Sequence, residues 1–131
     1  MTSDESQPDR SSPWMRAAHG LLAVYWLAIF TLTHVPRLPP PPNVPQADKV
    51  VHLLAYGLLA VFFFTARSSV RPLVRRDYLI GMLIFAVYGV ADELLQIPVG
   101  RTCDVLDWVA DVTGALAGTG LFLCIGFLRR R

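Results

Sequence analysis

Four long apolar runs, and little between them, constrain this chain more than anything else in it. The first spans about Pro13–Thr33, the second Lys49–Ala66, the third Asp77–Gln96 and the fourth Asp104–Leu128. Each has about 17–25 residues, the length a helix needs to cross roughly 30 Å of hydrocarbon. Strands of a membrane barrel would be about half as long and would alternate in polarity, which these runs do not. Composition agrees. Charged residues make up 17% of the chain, against roughly 25% in an average soluble domain. A domain of 131 residues this apolar would have too little polar surface to cover itself in water, whereas lipid faces apolar side chains directly. The expected fold is all-α, a polytopic transmembrane four-helix bundle formed by residues 13–131. It follows a polar tail, residues 1–12, expected to be disordered. That tail is not a cationic leader segment and no small-x-small cleavage site follows the first run, which therefore reads as a retained span.

The connections differ in kind. Residues 35–45, V-P-R-L-P-P-P-P-N-V-P, form a stiff, extended loop. Residues 67–76 are short and basic, and I-P-V-G-R-T-C is a tight turn in which Pro98 stops a helix. Basic residues set the orientation. Arg10, Arg16, Arg67, Arg71, Arg75, Arg76, Arg129, Arg130 and Arg131 fall on one side, and Arg37, Lys49 and Arg101 on the other. The positive-inside rule then places both termini and the middle loop in the cytoplasm. Cys103 and Cys124 are 21 residues apart, roughly 31 Å along a helix, too far for a disulfide.

The acidic residues are segregated. Apart from the tail and Asp77, all six (Asp48, Asp92, Glu93, Asp104, Asp107 and Asp111) fall at the outer ends of the spans. Helical spacing refines this. Lys49, His52 and Tyr56 share a face at i, i+3, i+7, as do Asp104, Asp107 and Asp111. Tyr88, Asp92 and Gln96 follow i, i+4, i+8, with Glu93 adjoining. The stripe on the fourth helix continues as Gly114 and Gly118, small residues that let another helix approach closely. If that helix begins near Asp104, Asp111 lies roughly 10 Å further along the axis. A carboxylate facing lipid at that depth costs several kcal/mol. Turned inward, Glu93, Asp107 and Asp111 would meet Lys49, Arg101, His34 and His52 in a polar cleft, open to the outside and roofed by the proline-rich loop. The plainer reading is structural: Asp104 and Asp48 as helix caps, Asp107 near a positive helix end, and ion pairs fixing the bundle. His19, alone near the other side, reads as structural, and Phe62–Phe64 as lipid-facing or packing surface.

These same residues carry a resemblance. T-H-V-P around His34, D-K-V-V-H-L-L-A-Y from Asp48 to Tyr56, D-E-L-L-Q from Asp92 to Gln96, and G-R-T-C-D-V-L-D-W-V-A-D-V-T-G from Gly100 to Gly114 resemble, in order, the VanZ-like family of small bacterial membrane proteins. The resemblance implies functional positions at His34, Asp48, Lys49, His52, Tyr56, Asp92, Glu93, Gln96, Arg101, Asp107 and Gly114, in a bacterial cytoplasmic (inner) membrane. The founding member is associated with resistance to the glycopeptide teicoplanin, so a role in glycopeptide susceptibility is implied too. One position departs from the pattern: the family usually has Asn where this chain has Asp111, which makes the local site more acidic.

Three functions compete. In the first, Lys49 and Arg101 hold an anionic lipid headgroup or a lipid-linked cell-wall precursor while the carboxylates position it. In the second, His34, His52, Glu93 and Asp107 form a divalent-metal or acid–base site that hydrolyses a headgroup. No tight ligand motif and no nucleophile elbow supports it, so whether the chain is an enzyme stays open, and no cofactor or metal is identified. The third is a transporter or proton relay, for which four short helices leave little room unless like chains assemble into a homo-oligomer. Nucleic acid is not an expected partner: the net charge is only +2 and the basic residues are dispersed without aromatic interleaving.

Overall fold

A computed structural model describes residues 12–35 and 46–129. The expected disordered tail and the proline-rich roof fall outside the described residues. Four helices make up the fold: α1 Pro13–Thr33, α2 Ala47–Ser68, α3 Arg75–Gln96 and α4 Val105–Leu128. All four are long and apolar enough to cross a membrane. Their ends follow local chemistry. Pro13 starts α1 where a missing N–H costs nothing. Asp104 caps α4, its Oδ1 accepting from the Leu106 N–H at 2.9 Å. A 3₁₀ turn, Ile97–Val99, carries Pro98 past the end of α3, and Gly100 reverses the chain at φ 79°, a conformation few other residues adopt.

Large apolar side chains are exposed along every helix, among them Val24, Leu54, Leu83 and Leu121. In water this shell would aggregate; in a bilayer it is the lipid-facing surface. Beneath it Tyr56, Leu59, Ala60, Phe64, Phe85 and Ala115 pack into a core with Ile29. The phenylalanine run divides: Phe64 is fully buried, while Phe63 stands edge-on to both Phe64 and Phe85.

The most extensive contact joins α2 to α4, and glycine makes it. A Cβ on Gly114 would collide with the Leu53 carbonyl oxygen, and one on Gly118 with the Gly57 carbonyl oxygen. Gly57 faces Gly114 in return, with room for only a 3.2 Å approach. Gly81 of α3 does the same for an aromatic ring: Phe64 Cζ lies 2.6 Å from where its Cβ would stand. Helix α1 is held more loosely, with only Ala18 and Ile29 buried along it.

Up-down threading gives the bundle two distinct ends. Helices α2 and α4 begin, and α1 and α3 finish, at an acidic end. The opposite, basic end carries Arg67, Arg71, Arg75, Arg76 and Arg129.

Candidate functional site

Helical periodicity places each polar side chain of the acidic end. On α2, Lys49, His52 and Tyr56 descend one face; on α3, Asp92, Glu93 and Gln96 close the last turn; on α4, Asp107 and Asp111 follow the Asp104 cap. His52, Tyr56, Asp92, Glu93, Gln96, Asp107 and Asp111 are all 3% exposed or less. They are therefore interior groups rather than the walls of an open cleft, and the expectation of an externally open site is corrected to that extent. The glycine-made approach of α4 to α2 contributes, since His52, Tyr56, Asp107 and Asp111 lie on those two helices.

Three polar groupings result. Lys49 Nζ donates to Asp104 Oδ2 at 2.8 Å and to Asp107 Oδ1 at 2.9 Å, tying the starts of α2 and α4 together. His52 Nδ1 lies 2.8 Å from Asp111 Oδ1. Asp92 accepts from Thr33 Oγ1 at 3.0 Å and from Gln96 Nε2 at 3.1 Å, linking α1 to α3. Glu93 sits between them and accepts the Asp104 backbone N–H through Oε2 at 2.8 Å.

His34 joins the cluster only through Thr33, whose Oγ1 lies 3.2 Å from the His34 Nδ1. Its Nδ1 is 3.8 Å from Asp92 Oδ1 but 2.7 Å from the Phe30 carbonyl, to which it donates, and its ring stacks on Phe30. Asp48, half-buried in the first turn of α2, is one residue from Lys49 and so about 100° around the helix. Arg101 is half-buried and, among the described residues, forms no ion pair; its Nε is buried without a hydrogen-bond partner. Glu93 Oε1, Asp111 Oδ2, Gln96 Oε1 and the Tyr56 hydroxyl are likewise buried without a partner. One ligand atom each from His52, Glu93 and Asp111 lies within 4.8 Å of the other two.

Several residues that shape the site escape a reading of the sequence. Thr33 is one: nothing marks a threonine at a helix end as the partner of an aspartate 59 residues away. Gly89 is another. A Cβ there would stand 3.0 Å from Trp108 Cδ1 and 3.2 Å from Asp111 Oδ2, so any larger residue would press these side chains back by a few tenths of an ångström. Trp108 is fixed in turn by its indole N–H, which donates to the Ala86 carbonyl at 3.0 Å. A signal did exist, because Gly81, Phe85 and Gly89 recur at i, i+4, i+8 on the buried face of α3.

Four apolar helices enclosing a buried polar cluster at one end define a multi-pass integral membrane protein. The chain belongs to the VanZ/LLP1 family, whose sequence model matches residues 6–128. No curated protein matches it. No solved structure matches it either.

Proposed function

We propose that this protein binds the polar headgroup of a membrane lipid, or of a lipid-linked cell-envelope precursor, at the acidic end of the bundle. The proposal places that end at the outer face of a bacterial cytoplasmic membrane, with both termini cytoplasmic. One observation carries the reading: polar groups from α2, α3 and α4 are buried at a single end, and several retain bonding capacity that the protein does not use. Capping would not need side chains buried this deeply, and a buried polar atom without a partner costs about 1–3 kcal/mol.

The two cations take different parts in this reading. Lys49 is held between Asp104 and Asp107, so its part is to fix the helices. Arg101, with no ion pair among the described residues, is the cation that would meet a phosphate, as a guanidinium does in a fork of two bonds. Glu93 Oε1 would accept from an amine or hydroxyl of the same headgroup. A role in glycopeptide susceptibility would follow if that headgroup belongs to a wall precursor.

Native mass spectrometry of protein extracted with its surrounding lipid tests this. Wild type should retain a preferred headgroup class, and Arg101→Gln and Glu93→Gln should lose it while still folded. Lipid carried without headgroup preference, or retained unchanged by both variants, would overturn the reading. Sidedness is tested separately: reporters fused after Arg76 should be cytoplasmic and those inserted at Gly100 external.

A second reading, acid–base hydrolysis of the headgroup, is favoured by the His52–Asp111 contact, since a carboxylate that orients an imidazole is half of a general-base arrangement. Headgroup release by purified wild type, and its loss in Asp111→Asn, would select it.

A further inference from the structure

We propose that His52, Glu93 and Asp111 together hold a divalent transition-metal ion. The three residues come from three helices, α2, α3 and α4, and all are at least nine-tenths buried. Distance isolates this set: one ligand atom from each of the three lies within 4.8 Å of the other two. Asp107 is engaged by Lys49, and Asp92 by Thr33 and Gln96. Glu93 Oε1 and Asp111 Oδ2 are, besides, buried without a hydrogen-bond partner. The 2.8 Å between His52 Nδ1 and Asp111 Oδ1 is a hydrogen bond, and it has to widen to only roughly 3.3–3.6 Å to seat two ligands of a tetrahedral ion at metal–ligand distances of about 2.0–2.2 Å. Glu93 has its ligand atom within 4.8 Å of both, which a carboxylate rotation closes.

Charge points the same way. Four carboxylates, Asp92, Glu93, Asp107 and Asp111, are buried at the end that holds Lys49, His52 and the half-buried Arg101, three cations at most. A divalent ion offsets that surplus where bare carboxylates would not tolerate it. The ligand chemistry narrows the ion. One imidazole and two carboxylates suit Zn²⁺, Mn²⁺ or Fe²⁺, whereas Ca²⁺ and Mg²⁺ favour oxygen alone. Metal ligands bind deprotonated, so uptake falls as pH falls. Three protein ligands leave coordination positions open. That such a position takes an oxygen of the bound headgroup rests on the reading above; the presence of the ion does not.

The test uses full-length protein purified without a polyhistidine tag, stripped with chelator and reloaded with Zn²⁺, Mn²⁺ or Fe²⁺ separately. Elemental analysis should find about one ion per chain in wild type, the complement of a single three-residue ligand set. His52→Gln, Glu93→Gln and Asp111→Asn should each weaken binding by at least tenfold, while Asp107→Asn, outside the set, should not. Thermal melting with and without metal keeps the inference falsifiable where a variant is unstable, because wild type should melt higher with its ion. No stoichiometric uptake by wild type from any of the three ions overturns it. So does equal loss of metal in Asp107→Asn and Glu93→Gln, which would mean diffuse attraction to acidic charge. Wild type that carries a preferred lipid but no ion overturns the metal site and leaves headgroup binding standing; ion without preferred lipid supports the metal site alone.

Discussion

The two ends of this bundle each bury carboxylates, and they treat them oppositely. At the basic end Asp77 is 7% exposed and fully provided for. It accepts the Val74 N–H at 2.9 Å and both arms of Arg71 at 3.0 and 2.6 Å, with Arg67 at 3.7 Å. At the acidic end Glu93 and Asp111 each keep one oxygen buried without a donor. Burial of charge is therefore not what marks a site in this molecule. Asp77 is a joint: it caps α3 and pins the connection from α2, and nothing is left over for a ligand. The acidic end carries more acceptors than its own donors satisfy, which is how a protein looks where another molecule or ion completes the set.

The largest effect should come from the seam that both ends depend on. In Gly118→Leu the new side chain would be forced onto the Gly57 backbone, and α2 and α4 would have to part. Overpacking of this kind costs about 3 kcal/mol or more, enough to deplete folded protein in the membrane. Gly120→Leu, two residues on, meets nothing within 4 Å and should be tolerated. Melting of both proteins in detergent checks the pair; equal, small losses would mean that the seam is not what holds the ends together.

Next comes the contrast itself, made by the same isosteric change at each end. Asp77→Asn should lower the melting temperature clearly, though by less than breaking a fully buried pair would, because the Arg71 side chain is 43% exposed. Glu93→Gln should shift stability by less than about 1 kcal/mol, since it removes a charge that lacks a full set of donors. Yet it should abolish ligand retention. If Glu93→Gln costs as much stability as Asp77→Asn, the acidic end is scaffold and the contrast fails.

How much of this the sequence discloses depends on whether the information is local. Run length and hydropathy are local, so the four helices are legible, with α2 and α3 extending about half a turn further than the apolar runs. Facial periodicity is local too, which is why Lys49, His52 and Tyr56, and likewise Asp107 and Asp111, can be placed on shared buried faces. Pairing between helices is not. Which carboxylate Lys49 takes, that His52 meets Asp111 rather than Glu93, and that Gly57 is the other half of the Gly114–Gly118 seam all depend on the register of α2 against α4. Sub-residue shifts along the axis fix that register, and they do not show in spacing. The same gap explains why an open cleft was the expectation and buried side chains the finding: closeness of approach is a property of two helices, and the stripe on α4 reveals only one.

The smallest effect sharpens the comparison within the acidic end. Thr33, the last residue of α1, is half-buried and donates to Asp92 at 3.0 Å. Asp92 also accepts from Gln96, so both its oxygens have donors and it resembles Asp77 more than its neighbour Glu93. Thr33→Val keeps the shape of the side chain and removes the bond to Asp92 together with the hydroxyl's contacts to the Phe30 carbonyl and His34 Nδ1, which should cost about 1 kcal/mol and leave ligand retention intact. Helix α1 is otherwise anchored by Tyr25, whose hydroxyl donates to the Ala55 carbonyl at 3.0 Å. Tyr25→Phe should cost a similar amount, and because the two positions are about 12 Å apart along the helix their effects should add. Hydrogen exchange along α1 is the measurement, since loosening this helix raises its exchange before the bundle melts. Strong coupling between the two variants, or loss of ligand in Thr33→Val alone, would move Asp92 out of the satisfied class and into the site.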